Sequence, residues 1–459
     1  MKFPAFRVNW RVAQATLLLT IATSVALLLN AWAWYLKHPV MLWLRPLETS
    51  LLLACTSIGV WLMRRQFRHT GWRKWVAVLP GLLFVTAFTV TVCAEVWFQW
   101  QRQHVHQASP IMRQLGGHFL IGFRDYASLA PLAEHGLIGG IYLTRRNIAG
   151  RSLAEVREEI SRLQALRKQH GLPPLFVAAD QEGGTVNHLS PLLPARPALA
   201  SLSKLSSQQR KQAAYRYGQQ HGDDLATLGV NLNLSPVVDL KPRKKGWWLD
   251  THTLVHRRAI SGDAEVVGQI AAAYSSGLQT RGVQATLKHF PGLGRVTADT
   301  HHRPARLALP LEKLAQEWQP FEQISRQTGS AIMVAHVHLD AIDPERPASQ
   351  SRKVIDGTLR RQWQHQGLIL TDDLNMGAVY RQGIGRASTA SLAAGADLVL
   401  ITYDHDQFYR ALYDATQAYR RGAIDDRLLL ASRERIRQHW AQVEKKRVTV
   451  LAAKVAARG

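Results

Sequence analysis

The chain has 459 residues, enough for a large buried core, and its 46% hydrophobic and 20% charged content excludes a disordered or collagen-like polypeptide. Two cysteines, Cys55 and Cys93, exclude a disulfide framework and a multi-cysteine metal centre. Fifty-seven lysines and arginines against 33 acidic residues give a net charge of +24, which suits an anionic membrane or an acidic polymer. No nucleic-acid motif accompanies the charge, so no nucleic-acid partner is expected.

The first hundred residues read as membrane anchor. Three apolar runs, 12–36, 47–63 and 76–98, are separated by short polar stretches, and nine of the chain's fourteen tryptophans fall in this first segment. The first is long enough to span roughly 30 Å of hydrocarbon, and Trp32, Trp34 and Tyr35 close it as an interfacial belt would. Ala31-Trp32-Ala33 resembles a signal-peptide cleavage site, but a signal core runs only about 7–15 residues. Glu95, near Trp97 and Trp100, is expected at the interface. Lys2, Arg7 and Arg11 precede the first run, and Arg64, Arg65, Arg68, Arg73 and Lys74 separate the second from the third. The positive-inside rule then predicts a multi-pass anchor, 1–105, in the cytoplasmic (inner) membrane. Everything in 106–459 is expected on the extracytoplasmic side.

From about residue 107 the pattern changes to short apolar runs alternating with amphipathic stretches. The runs are 118–122, 139–143, 175–180, 230–234, 283–288, 331–336, 368–372 and 397–402. They are solidly apolar rather than alternating, as parallel strands covered on both faces are. Helical stretches such as 153–170, 208–228 and 264–281 lie between them. Eight such units predict an α/β fold, a (β/α)8 TIM-type barrel. An open doubly wound sheet fits less well, because no glycine-rich phosphate loop follows the first run.

Chemistry in such barrels gathers at the C-terminal ends of the strands. There the third run ends in Asp180-Gln181-Glu182-Gly183-Gly184, the fifth leads into Lys288-His289, the sixth reaches His336, and the seventh ends in Asp372-Asp373. One carboxylate there could be a helix cap; four polar clusters on one rim point to a site. A carboxylate after the seventh strand can act as nucleophile, and Asp299-Thr300-His301 can pair an imidazole with a carboxylate as general acid and base.

Several stretches together resemble glycoside hydrolase family 3, and within it the bacterial β-N-acetylglucosaminidases of peptidoglycan recycling, over roughly 110–440. They are Asp180 to Gly184, Asn233-Leu234-Ser235-Pro236-Val237-Val238-Asp239, Lys288-His289-Phe290-Pro291-Gly292-Leu293-Gly294 with Asp299-Thr300-His301, and Thr371-Asp372-Asp373-Leu374-Asn375-Met376. The resemblance implies Asp372 as nucleophile and His301, oriented by Asp299, as acid/base. It implies sugar contacts from Asp180, Lys288, His289 and Arg258, with His188 standing where the family carries an arginine. Asp373 is left outside the catalytic set. No metal and no organic cofactor is implied.

The departures from the family pattern are Thr185 and His188 for two arginines, Leu293 for a histidine and Thr300 for a serine. The first pair bears on sugar specificity more than on the reaction. Many members carry the acid/base on a second, C-terminal domain; too little chain follows the eighth run here, so the Asp299/His301 dyad is expected to serve. The expected activity is retaining removal of non-reducing terminal β-linked N-acetylglucosamine from cell-wall fragments. The alternatives are a β-glucosidase or glycosyl phosphorylase on the same barrel, and a membrane-tethered glycan-binding protein with weakened catalysis. A basic, aromatic loop at 241–248 is expected either to face solvent or membrane, or to attract anionic glycans. Oligomeric state is left open.

Overall fold

The structure is a computed structural model that describes residues 10–67, 78–242, 253–296 and 298–456. It divides into two compact units, Met1–His104 and Val105–Gly459.

The first unit is built on helices α1 (Trp10–Trp34), α2 (Glu48–Phe67) and α3 (Val78–His106). Ala26, Leu29, Leu52, Met63, Phe84 and Ala87 form its buried cluster. Asn30 Nδ2 donates to the Leu83 carbonyl at 2.7 Å, joining α1 to α3. The outer surface is apolar: Leu17, Leu18 and Leu28 on α1, Ile58 on α2, and Leu82 and Val96 on α3 are more than half exposed. An exposed apolar surface of this extent is a membrane or partner surface, not a solvated one.

Two stretches, Thr16–Trp34 and Val78–His106, are long and apolar enough to cross a membrane. The expectation of three spans is corrected to two on this measure. Helix α2 forms where the 47–63 run was read, but Glu48, Arg64, Arg65 and four hydroxyl residues dilute its leucines. Its acidic end is neutralised by neighbours. Buried Glu48 accepts from Trp32 Nε1 at 3.3 Å and lies 3.6 Å from Arg45 Nε. Glu95 meets Lys37 Nζ at 3.0 Å and accepts from Thr49 Oγ1 at 2.8 Å.

In the second unit eight parallel strands close a barrel. They are β1 (Phe119–Ile121), β2 (Gly140–Leu143), β3 (Phe176–Ala179), β4 (Leu232–Asn233), β5 (Gln284–Phe290), β6 (Ala331–Val334), β7 (Ile369–Asp373) and β8 (Leu398–Ile401). β1 pairs with both β2 and β8, which makes the sheet a closed (β/α)8 TIM-type barrel rather than an open one. Six of these strands lie within runs read from the sequence, and β5 and β7 continue past the ends of theirs, to Phe290 and Asp373.

Alternate residues point inward, as the period of two demands. Phe176 and Ala178, Ala331 and Met333, Leu368 and Leu370, and Leu398 and Leu400 share one interior cluster. The surrounding helices begin at designed stops: Ser152 and Glu155 form a capping box before Leu153–Gln169, and Asp263 caps Ala264–Gln279.

The opposite, N-terminal end of the barrel is closed by the last helix, Asp426–Ala456. The Trp440 ring packs tilted against Phe176, the first residue of β3, with centroids 4.7 Å apart. Beside it, fully buried Asp397 accepts from Arg435 Nε at 2.9 Å, Ser432 Oγ at 2.7 Å, the Ile369 amide at 2.7 Å, and Arg360. Removing the carboxylate would strand two guanidinium groups in the interior. Asp397→Ala is therefore expected to destabilise the barrel by about 3–5 kcal/mol. Thermal unfolding of the variant tests this, and a loss under about 1 kcal/mol would contradict it.

Candidate active site

The barrel's C-terminal mouth is where the ladder becomes irregular. Pairing of β5 with β6 slips between Leu287 and Phe290, and pairing of β7 with β8 slips between Leu370 and Asp373. Such bulges re-aim side chains. The residues at these two slips are Lys288-His289 and Thr371-Asp372.

Asp180 follows directly on β3, and the chain then turns back as a small hairpin, Gln181–Gly183 with Val186–Asn187. Gly183 has φ +87°, and a Cβ there would lie 2.6 Å from the Pro197 carbonyl. Only glycine lets the hairpin fold down and bring Glu182 inward.

Four charges meet at this point, Lys288 and Glu182 buried and Asp180 and Arg258 partly so. Lys288 Nζ bonds Asp180 and lies 2.6 Å from a Glu182 oxygen. Arg258 donates to both Glu182 oxygens, at 3.0 and 2.6 Å. Burial alone would neutralise all four groups. The pairing outweighs it: Asp180 and Glu182 are held below their ordinary range by Lys288 and Arg258, and both cations are pushed up by the carboxylates. The site therefore keeps fixed, ionised donors and acceptors for hydroxyl groups.

The remaining side chains extend this lattice. Tyr142 donates to Asp180 Oδ2 at 2.6 Å and lies 3.1 Å from His188 Nδ1. His289 Nδ1 is 2.7 Å from Asp239 Oδ2, and its Nε2 is 3.3 Å from Arg258. Asp239 also takes the backbone amides of His289 and Leu293. Arg258 donates to the Thr253 carbonyl at 2.9 Å, and Thr253 Oγ1 donates to Asp299 at 3.1 Å.

Asp299 in turn lies 2.9 Å from His301 Nδ1 and accepts from the His301 amide. Burial opposes its ionisation, but bonds from His301 and Thr253 hold it low. His301 is pushed the other way. Burial favours the neutral ring, yet Asp299 and the charge of Asp372 raise its pKa above the ordinary value. The loop is tied to the segment that follows β7, where the Gly377 and Ala378 amides donate to the His301 and Thr300 carbonyls. A Cβ at Gly377 would come within 2.9 Å of the His301 carbonyl, so the two segments touch backbone to backbone.

Asp372 and Asp373 are neighbours with different surroundings. Asp373 is consumed by the fold: it accepts from Asn375, from Thr402 Oγ1 at 2.6 Å and from the Tyr403 amide at 2.9 Å. Asp372 accepts one backbone bond, from the Asp373 amide. Burial would protonate it, but His289, His336 and His301 hold it below the ordinary carboxylate value. Buried His336 has Nε2 3.0 Å from the Asp373 carbonyl and Nδ1 2.7 Å from Ser349 Oγ. A carbonyl only accepts, so Nε2 carries the proton and Ser349 donates to Nδ1.

The residues singled out from the sequence thus stand in one cluster: Asp180, His188, Arg258, Lys288 and His289 by contact, Asp299 and His301 through Thr253, and Asp372 through the field of the histidines. Glu182, Asp239 and His336 stand in stretches noted in the sequence but without an assigned role, and Tyr142 and Thr253 stand in none of them. Glu182 and Asp239 lie inside the motifs already noticed; what hid them is that their partners are distant in the chain. Of the loop at 241–248, residues 243–248 lie outside the described residues.

The arrangement offers an ionised carboxylate, an imidazole poised to be protonated near neutrality, and a polar cradle between them. Comparison with known proteins agrees with that chemistry. A family model described as the glycosyl hydrolase family 3 N-terminal domain matches residues 112–438. The chain is 34% identical over 280 residues to a beta-hexosaminidase of Nitrosomonas eutropha, covering 60% of this chain and 76% of that one. It is 31% identical over 296 residues to a beta-hexosaminidase of Pseudomonas aeruginosa, covering 64% and 82%. Among solved structures it resembles a glycoside hydrolase family 3 beta-N-acetylglucosaminidase from Paenibacillus sp., with TM-score 0.65 and 29% identity. That match covers 73% of this chain and 62% of the Paenibacillus chain, so this chain spans less than two thirds of that protein.

The raised pKa of His301 is directly measurable. In an NMR titration of the ring, Asp299→Asn is expected to move the midpoint to lower pH, because it removes the ring's charged partner. An unchanged or higher midpoint would contradict the coupling.

Proposed function

The chain belongs to glycosyl hydrolase family 3, and from that premise we propose a retaining β-N-acetylhexosaminidase that removes non-reducing terminal N-acetylglucosamine from cell-wall fragments or related glycans. The observation that carries this reading is the cluster just described, with ionised Asp372 and the Asp299-held imidazole of His301 on one barrel mouth.

In the proposed reaction Asp372 attacks the anomeric carbon as His301 donates its proton to the leaving oxygen. The glycosyl-Asp372 ester is then hydrolysed by a water that gives its proton to His301. Two inversions at one carbon retain the β configuration. Asp299 fixes the ring so that Nε2 faces the glycosidic oxygen, and it stabilises the imidazolium that forms in the second step. Asp180, Lys288, Arg258 and His289 hold the sugar hydroxyls, with His188 beside them; Glu182 and Asp239 position those groups. The names of the relatives support an N-acetylated amino sugar.

Asp372→Ala is expected to abolish turnover in a protein that still folds, while NMR of the native reaction shows the β product first; near-normal activity or an α product would overturn the mechanism. Losing His301 should slow substrates with poor leaving groups far more than activated aryl glycosides, which need little protonation. Equal slowing of both would remove His301 from the acid role.

We propose that the apolar stretches Thr16–Trp34 and Val78–His106 hold the chain at the cytoplasmic membrane. The basic residues flanking the runs and the exposed apolar surfaces of α1 and α3 support this. In cell fractionation the chain should sediment with the membranes and be released by detergent but not by high salt. Release by salt alone would contradict the anchor.

A further inference from the structure

We propose that His188, its tautomer fixed by Tyr142, presents a hydrogen-bond acceptor to the bound sugar, so that the pocket selects a free hydroxyl over a substituent that cannot donate; this rests on the glycosidase reading above. The chain of bonds starts in the barrel interior. Tyr142 lies on β2 and belongs to the interior cluster. Its hydroxyl meets two partners at the mouth, Asp180 Oδ2 at 2.6 Å and His188 Nδ1 at 3.1 Å.

A phenol has one proton to give. Burial, and then the charge of Asp180, keep that proton on Tyr142, while Lys288 keeps Asp180 ionised against the pull of burial. The proton therefore points to the carboxylate, and the Tyr142 oxygen can only accept from His188. Nδ1 of His188 carries the imidazole proton, and Nε2 of the neutral ring is left with a bare lone pair.

The fold does not use that lone pair. Among the described residues Nε2 of His188 has no hydrogen-bond partner, and the ring is half-buried rather than sealed. The backbone around it is pinned. The His188 amide donates to the Asp180 carbonyl at 3.1 Å, the Leu189 amide to Gln181 Oε1 at 3.0 Å, and Asn187 Nδ2 to the Gly184 carbonyl at 2.6 Å. The ring is thus held to the same hairpin that brings Glu182 inward.

The rest of the cradle is rich in donors. Lys288 and Arg258 can only donate, and both Asp180 oxygens already accept, one from Tyr142 and the other from Lys288. An arginine at position 188 would add more donors; the imidazole adds an acceptor. A sugar hydroxyl can accept from a cation and donate to Nε2 at once. Fluorine in its place cannot donate and sets one lone pair against another, and a site built around a hydroxyl rejects an analogue lacking it.

The test uses the full chain in detergent micelles. 4-Nitrophenyl N-acetyl-β-glucosaminide is compared with analogues in which the 3-, 4- or 6-hydroxyl is replaced by fluorine. Fluorine also slows the chemistry itself, so each penalty in kcat/KM is referred to the same penalty in His188→Arg, which donates but cannot accept. One analogue should carry an excess penalty of about tenfold in the native protein, the effect of one unmade hydrogen bond. Nitrogen-15 NMR of the native protein should show His188 as a neutral ring protonated at Nδ1. Tyr142→Phe should release that tautomer and shrink the excess penalty. Calorimetric binding of free N-acetylglucosamine and its fluoro analogues repeats the comparison without turnover. Equal penalties in the native and His188→Arg proteins, or a native ring protonated at Nε2, would overturn the acceptor and leave the glycosidase. An excess penalty in binding without hydrolysis of any glycoside would overturn the glycosidase reading and leave the acceptor standing.

Discussion

The mouth of this barrel depends on a balance of buried charge. Lys288 and Arg258 are drawn out of water only because Asp180 and Glu182 meet them there, and the carboxylates are ionised only because the cations are present. A partial set would be worse than none, since one unpaired buried ion costs several kcal/mol. This requirement explains local features that otherwise look unrelated. The β5 register slip sits at Lys288, Gly183 allows the hairpin to carry Glu182 inward, and the backbone of Thr253 takes the spare Arg258 donor.

From this lattice the carboxylates divide their work by environment rather than by type. Asp239 and Asp373 are saturated with backbone and hydroxyl donors and serve to hold loops and rings. Asp299 is spent on His301. Among the described residues Asp372 accepts one hydrogen bond, from the Asp373 amide, and His289, His336 and His301 favour its ionised form. Adjacent residues in the sequence, Asp372 and Asp373, thus differ because only one has its oxygens occupied.

The barrel was legible because its strands are buried on both faces, so each reads as a solid apolar run ending in polar residues. Asp180, Lys288 and Asp372 could be found at those ends by position alone. Glu182 and Asp239 could not, because what makes them part of the site is contact with Arg258 and His289, 76 and 50 residues away. Helix α2 misled for a related reason. Its apolar run is real, but Glu48, Arg64, Arg65 and four hydroxyl residues leave the helix less apolar than α1 and α3.

The central claim is that Asp372, and no neighbouring carboxylate, forms the covalent bond to sugar. Incubation with a slow 2-fluoro or 5-fluoro amino-sugar substrate, followed by peptide mass spectrometry, tests it most directly. The account predicts a single glycosylated peptide with the modification on Asp372. Modification of Asp373, Asp180 or Glu182, or turnover of the fluorosugar without any trapped peptide, would contradict it.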